Sequence, residues 1–225
     1  KEGFIKSLNP ALEVLFENAN NYGWHIATAL YESPTFGGAS WLAHATLMTG
    51  EWVDRQEKYQ ALMTTERPNL ATYFRDAGYR TVALMPGLKM LWPEGAFYGY
   101  DKIWNADQLK YTGPEFGWWR IPDQYSLAHF YDVEGTDSSR NPLFVFFATI
   151  SSHMPFAPIP PYQENWDRIL SYNPYDEKLL PLGTGPSVNP KTARLAYEKA
   201  IDYELRLLAG FLGKTAFQKP VIIVL

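Results

Sequence analysis

The sequence predicts an α/β fold, a mostly parallel sheet sandwiched by helices, in a single domain spanning residues 1–225. Three observations predict it. Strand-like apolar runs alternate with helix-like periodic runs along the chain. The clearest apolar runs, 143–150 and 220–225, are uninterrupted, as in strands covered on both faces. The chain has 225 residues, 46% hydrophobic and 20% charged, enough to build one globular core.

Taken in order, apolar spacing over 10–19 predicts an amphipathic helix with Asn9 as N-cap and Pro10 in its first position. Residues 24–31 read as a strand, buried from His25 onward. The chain then turns through Gly37-Gly38, and 40–48 read as a helix stopped by Gly50. A further helix is predicted over 69–77, ended by Gly78, and a strand over 80–85, bounded by Pro86-Gly87. Residues 86–122 are rich in Pro, Gly and aromatics and lack periodicity, so they read as a long functional loop. A helix over 123–133, a strand over 143–150, a Pro-rich stretch over 154–190, a long helix over 192–212 closed by Gly213, and a last strand over 220–225 complete the chain.

Composition narrows the function. The formal net charge is −4 and Lys and Arg form no run, so no nucleic-acid surface is expected. With no cysteine there is no disulfide or thiolate metal site. No apolar run approaches the roughly 20 residues that span a bilayer, so membrane contact is expected only through segments outside this chain.

The chemistry-bearing positions sit at predicted strand ends, where open α/β sheets bind ligands. Ser40 follows one strand and two glycines and opens a helix, where free backbone N–H groups and the helix dipole favour an anion. His153 follows another strand, in Ser151-Ser152-His153-Met154-Pro155-Phe156. His44 stands at i+4 from Ser40 and shares its helix face. Thr35 is a rival hydroxyl before the glycines. Asp101 and Asp123 read as braces for turns, and His25 and His129 as ordinary strand and helix residues.

The order and spacing of these segments resemble the sulfatase and alkaline phosphatase superfamily. Ser40 lies about ten residues before Thr49-Gly50, as the nucleophile does there. Ser151–Phe156 is similar to its S-x-H-x-P-F element, and Tyr98-Gly99-Tyr100-Asp101 to its F-G-F-D turn. Trp119-Arg120-Ile121-Pro122-Asp123 resembles the W-G-x-x-D element of lipoteichoic acid synthase-like phosphoglycerol transferases. The helix around Ala200-Ile201-Asp202-Tyr203-Glu204 resembles the one before the last catalytic strand.

The resemblance implies an alkaline-phosphatase-like sheet and a divalent metal (Mn, Zn, Mg or Ca), of whose ligands only Ser40 matches here. It also implies that the first strand and the metal-binding Asp-His after Leu225 lie outside this chain, which is then a fragment, inactive alone. Ser40 would be both nucleophile and metal ligand, and His153 would contact the transferring group or protonate a leaving oxygen. His44, Trp119 and Thr35 would bind substrate. The substrate would be a small-molecule or lipid-linked phosphate ester of head-group or glycan type, at the bacterial periplasm or the outer face of the membrane. The sulfatase pattern C/S-x-P-x-R is not met, because Leu42 and His44 stand where Pro and Arg would. That disfavours oxidation of Ser40 to formylglycine and favours phosphate over sulfate esters. The alternatives are a sulfatase, a metal-free serine hydrolase lacking the second glycine of a G-x-S-x-G elbow, and a non-catalytic binding module.

Overall fold

A computed structural model describes residues 2–29, 31–116, 121–136, 141–175, 190–214 and 221–224. In chain order the elements are α1 (Glu2–Asn21), α2 (Ser40–Thr49), α3 (Gln56–Met63), α4 (Leu70–Asp76), β1 (Arg80–Met85), α5 (Gly95–Tyr98), β2 (Lys102–Asn105), α6 (Asp123–Phe130), β3 (Leu143–Phe147), α7 (Trp166–Ile169) and α8 (Pro190–Lys214). A π-helical turn, Tyr131–Gly135, extends α6. They fall into two compact units, one of Thr28–Asn105 with Ser139–Ala148, the other of Lys1–Ala27, Ala106–Ser138 and Thr149–Leu225.

The first unit is a small parallel sheet flanked by helices, the predicted fold class. Its strand order is β2-β1-β3, with Val82 opposite Lys102 and Arg80 opposite Leu143. In the middle strand Val82, Ala83 and Leu84 are wholly buried, as the uninterrupted apolar run requires. Helix α4 packs against the sheet, and Phe74 stacks on Phe144 of β3 at 4.6 Å between centroids. Its start is fixed by a capping box: Asn69 accepts from the Ala71 and Thr72 amides, and Thr72 Oγ1 accepts from the Asn69 amide. Asp101 braces the sheet as expected, its Oδ2 accepting from the Thr81 amide at 2.8 Å and the Thr81 hydroxyl at 3.0 Å.

In the second unit α1 lies along α8. Leu15 and Ala19 pack with Ala209 and Leu212, and Asn18 Nδ2 donates to the Ala209 carbonyl at 2.9 Å. Helix α6 is buried at nearly every position. Gln124 pairs like a peptide group with Gln163, Nε2 donating to its carbonyl at 2.7 Å and Oε1 accepting from its amide at 2.9 Å. Among the described residues no helix is long and apolar enough to cross a membrane.

The structure corrects several elements. Helix α1 begins well before Pro10, which lies inside it, because Leu8 extends the buried stripe upstream. Residues 24–29 form no strand and are mostly exposed, since an apolar run becomes a strand only where a partner pairs with it. Residues 221–224 form no strand either, with Ile222 and Val224 exposed. The loop read over 86–122 contains α5 and β2. Strand β2 is a four-residue, half-buried edge strand, too short to show a period. Helix α3 fills a stretch for which no element was predicted.

Candidate functional site

Ser40 is the first residue of α2, and the backbone leading to it is unusual. Gly37, Gly38 and Ala39 all have positive φ, at 66°, 122° and 51°. The glycines take such values without steric penalty; Ala39 does so at a cost of about 1–2 kcal/mol. Left-handed Ala39 occupies the N-cap position and offers no capping side chain. The amide of Leu42 turns back to the Ala39 carbonyl at 3.0 Å. No acidic residue stands in the first turn. The helix therefore begins with uncapped donors and the positive end of its dipole. Ser40 is exposed, and its hydroxyl engages no hydrogen bond among the described residues.

The rest of α2 anchors this presentation. Leu42 and Ala45 are buried with Val53, Tyr59 and Leu62, and Met48 with Ala71 and Tyr98. Trp41 Nε1 donates to Gln56 Oε1 of α3 at 2.9 Å. Gly50, at φ 71°, ends the helix in the left-handed conformation. Leu42, where a sulfatase signature has proline, is thus a core residue.

His44 is half-buried, its ring meeting Phe146 edge-on at 5.3 Å between centroids. Burial lowers its pKa below the ordinary histidine value, which favours the neutral ring. Thr35 is half-buried, and its amide donates to Ser33 Oγ at 3.3 Å. Ser40, His44 and Thr35 belong to the first unit; His153 belongs to the second. Trp119 lies outside the described residues.

His153 is exposed in a turn, its amide donating to the Ile150 carbonyl at 2.9 Å. Its Nδ1 sits 2.7 Å from the Met154 carbonyl. A carbonyl only accepts, so Nδ1 carries a hydrogen, and in the neutral ring Nε2 bears the lone pair. The His153 turn is held by Asp123, the buried first residue of α6. Asp123 Oδ2 accepts from the Ile150 amide at 2.8 Å and the Ser151 amide at 2.5 Å, while its own amide donates to Ser151 Oγ at 3.3 Å. Asp123 is a brace, as its sequence position suggested.

Glu204 of α8, beside this brace, was missed as a significant residue. The signal was available: it stands at i+4 from buried Ala200 and next to buried Tyr203, on the inward stripe of its helix. Of the predicted site residues among those described, none lines the recess of about 320 Å³ formed by Tyr162, Glu164, Asn165, Trp166 and Gly210.

Residues 17–181 match the family model described as Sulfatase. The chain belongs to the sulfatase family. Comparison with curated proteins and with solved structures returned no match. Membership identifies the chain with sulfatase-like hydrolases and transferases of the alkaline phosphatase superfamily. Enzymes of the sulfatase family generally use a divalent metal. Among the described residues no group of three or more His, Asp or Glu side chains could hold one. Ser40 alone does not make such a site.

Proposed function

We propose that this sulfatase-family chain carries the nucleophile region of a phosphotransferase or phosphodiesterase, with Ser40 as the attacking group. The observation that carries the reading is the presentation of Ser40, an exposed, unengaged hydroxyl lifted by three positive-φ residues onto the uncapped start of α2. An anionic ester placed there meets free N–H donors and the helix dipole. The Ser40 oxygen bonds to phosphorus as the bond to the leaving alcohol breaks. The hydroxyl proton passes to a base, and the leaving oxygen gains a proton. Water or a second alcohol then displaces the serine oxygen.

His153 is assigned the proton-transfer role on the resemblance of Ser151–Phe156 to the S-x-H-x-P-F element, an imidazole being able both to accept and to donate a proton. His44, as a neutral ring on the Ser40 face of α2, is assigned a substrate contact, with Thr35 and Trp119 as further substrate-binding positions. Phosphate is preferred over sulfate because Leu42 and His44 are built into the packing of the first unit and supply no formylglycine signature. The same proposal includes a divalent metal bound in part by Ser40, a small or lipid-linked phosphate ester as substrate, and an extracytoplasmic location. These rest on the resemblance of the motifs.

The test is turnover of bis-p-nitrophenyl phosphate, p-nitrophenyl phosphate and p-nitrocatechol sulfate, with and without added Mn²⁺. Turnover of a phosphate ester is expected where the metal ligands that the resemblance implies are also present, falling at least about a thousandfold in Ser40→Ala. Preferential turnover of the sulfate ester would move the assignment to sulfuric-ester hydrolysis. Full activity in Ser40→Ala would remove Ser40 as nucleophile.

A further inference from the structure

Asp123 at the start of α6 and Glu204 on α8 interact inside the second unit, behind the turn that carries His153, where the Tyr203 hydroxyl beside Glu204 accepts from the Gln124 amide beside Asp123 at 3.3 Å. Asp123 is wholly buried, and both carboxyl oxygens of Glu204 are buried. Asp123 Oδ2 is engaged by the Ile150 and Ser151 amides. Asp123 Oδ1 and both Glu204 oxygens receive no donor of regular geometry among the described residues. The Ser152 amide and hydroxyl come near Glu204 and favour its charged form without closing such a bond. Two carboxylates here would place two negative charges and three unpaired oxygens out of water, at a penalty of several kcal/mol per ion. A single proton removes one charge and supplies the missing donor.

We propose that Asp123 and Glu204 form a carboxyl–carboxylate pair holding one proton, and that this pair positions His153 by pinning the 150–152 backbone between α6 and α8. The mechanical link is short: Asp123 holds the Ile150 amide, and the Ile150 carbonyl holds the His153 amide. The proton resides on Glu204. Burial pushes the Glu204 carboxyl well up, and the neighbouring Asp123 charge pushes it further. Burial also pushes Asp123 up, but the Ser151 amide, the Glu204 O–H, the Ser151 hydroxyl and the Ile150 amide all stabilise its charged form. The other ionisable groups close by are the phenols of Tyr203 on α8 and Tyr175. Burial raises both, so they stay neutral and add no charge. Asp123 and Glu204 are positioning residues; neither is assigned a contact with substrate.

The positioning role rests on the reading of His153 as a participant in the reaction, whereas the pair itself is read without turnover. Infrared spectra of the 225-residue chain at neutral pH are expected to show a protonated-carboxyl stretch that Glu204→Gln removes. The side-chain amide that this substitution introduces still donates one N–H to Asp123, so amide resonances of 150–153 and the His153 ring signals should stay at their wild-type positions. Glu204→Met fills similar volume without a donor and should displace them. In an active preparation kcat should fall in Glu204→Met with KM little changed, and recover in Glu204→Gln. Absence of the protonated-carboxyl band overturns the pair, and native 150–153 resonances in Glu204→Met overturn the positioning role. If Glu204→Met does not fold, an alkaline titration of the wild-type chain decides: loss of the band together with movement of the His153 amide supports the inference, and a static amide overturns it. Either failure leaves the Ser40→Ala result untouched, so the two readings fall separately.

Discussion

A Cβ added at Gly38 would meet nothing within 4 Å, so the φ of 122° alone makes substitution costly there. Backbone of that kind is nearly restricted to glycine, at a cost on the order of 1–3 kcal/mol for other residues. Gly38→Ala is therefore expected to destabilise the chain by about that amount without any steric clash. Thermal unfolding measures the loss, and the turnover assay should show Ser40 misplaced in the fraction that still folds. The place of Ser40 at the start of α2 was legible in the sequence because a hydroxyl after two glycines and before a helix is a local pattern. The left-handed Ala39 was not, because alanine gives no local signal for positive φ and takes it here under the constraint of its neighbours.

At the scale of elements, the capping box at Asn69 makes the start of α4 testable. Asn69→Ala removes the acceptor for two amides and the bond from Asn69 Nδ2 to the Phe97 carbonyl at 3.2 Å. The expected cost is about 1 kcal/mol or somewhat more, read from denaturant midpoints. Helix α8 carries a prediction of different form. The Glu204 carboxyl is pushed up on folding, so its contribution to stability is fully present below the unfolded glutamate value near 4.3 and is lost as pH rises toward the folded value. Glu204→Gln does not titrate. Its stability relative to wild type should therefore climb with pH above about 4.3, by at most about 1.4 kcal/mol per pH unit; urea unfolding across roughly pH 4–8 measures the slope. A difference independent of pH would count against a proton bound more tightly in the folded state. Elements with strong local signals, such as α2, α4, β1 and α8, were readable from sequence. Residues 24–29 and 221–224 are rich in apolar side chains, as β1 is, yet composition does not state whether a neighbour exists to pair with. Strand β2 failed in the opposite sense, being real but too short to announce itself.

For the molecule as a whole, the exposed irregular segment between α1 and α2 marks where a protease should act first. Tyr31 is 96% exposed and Phe36 fully so, both outside regular structure. Chymotrypsin under native conditions is expected to cut after one of them before any site in β1 or α8, as mass spectrometry of early fragments would show. Early cuts within β1 would contradict the burial of that strand. The two units are also interleaved along the chain, with a consequence for how the protein is made. Strand β1 gains its second neighbour only when 143–147 have emerged from the ribosome. Helix α1, whose buried face includes Leu15 and Ala19, waits for Ala209 and Leu212 of α8. Each unit must therefore close over long chain separations, which slows folding and leaves the apolar face of α1 uncovered until α8 has been made. The nascent chain is thereby a natural client for chaperones that shield such helices until α8 has emerged.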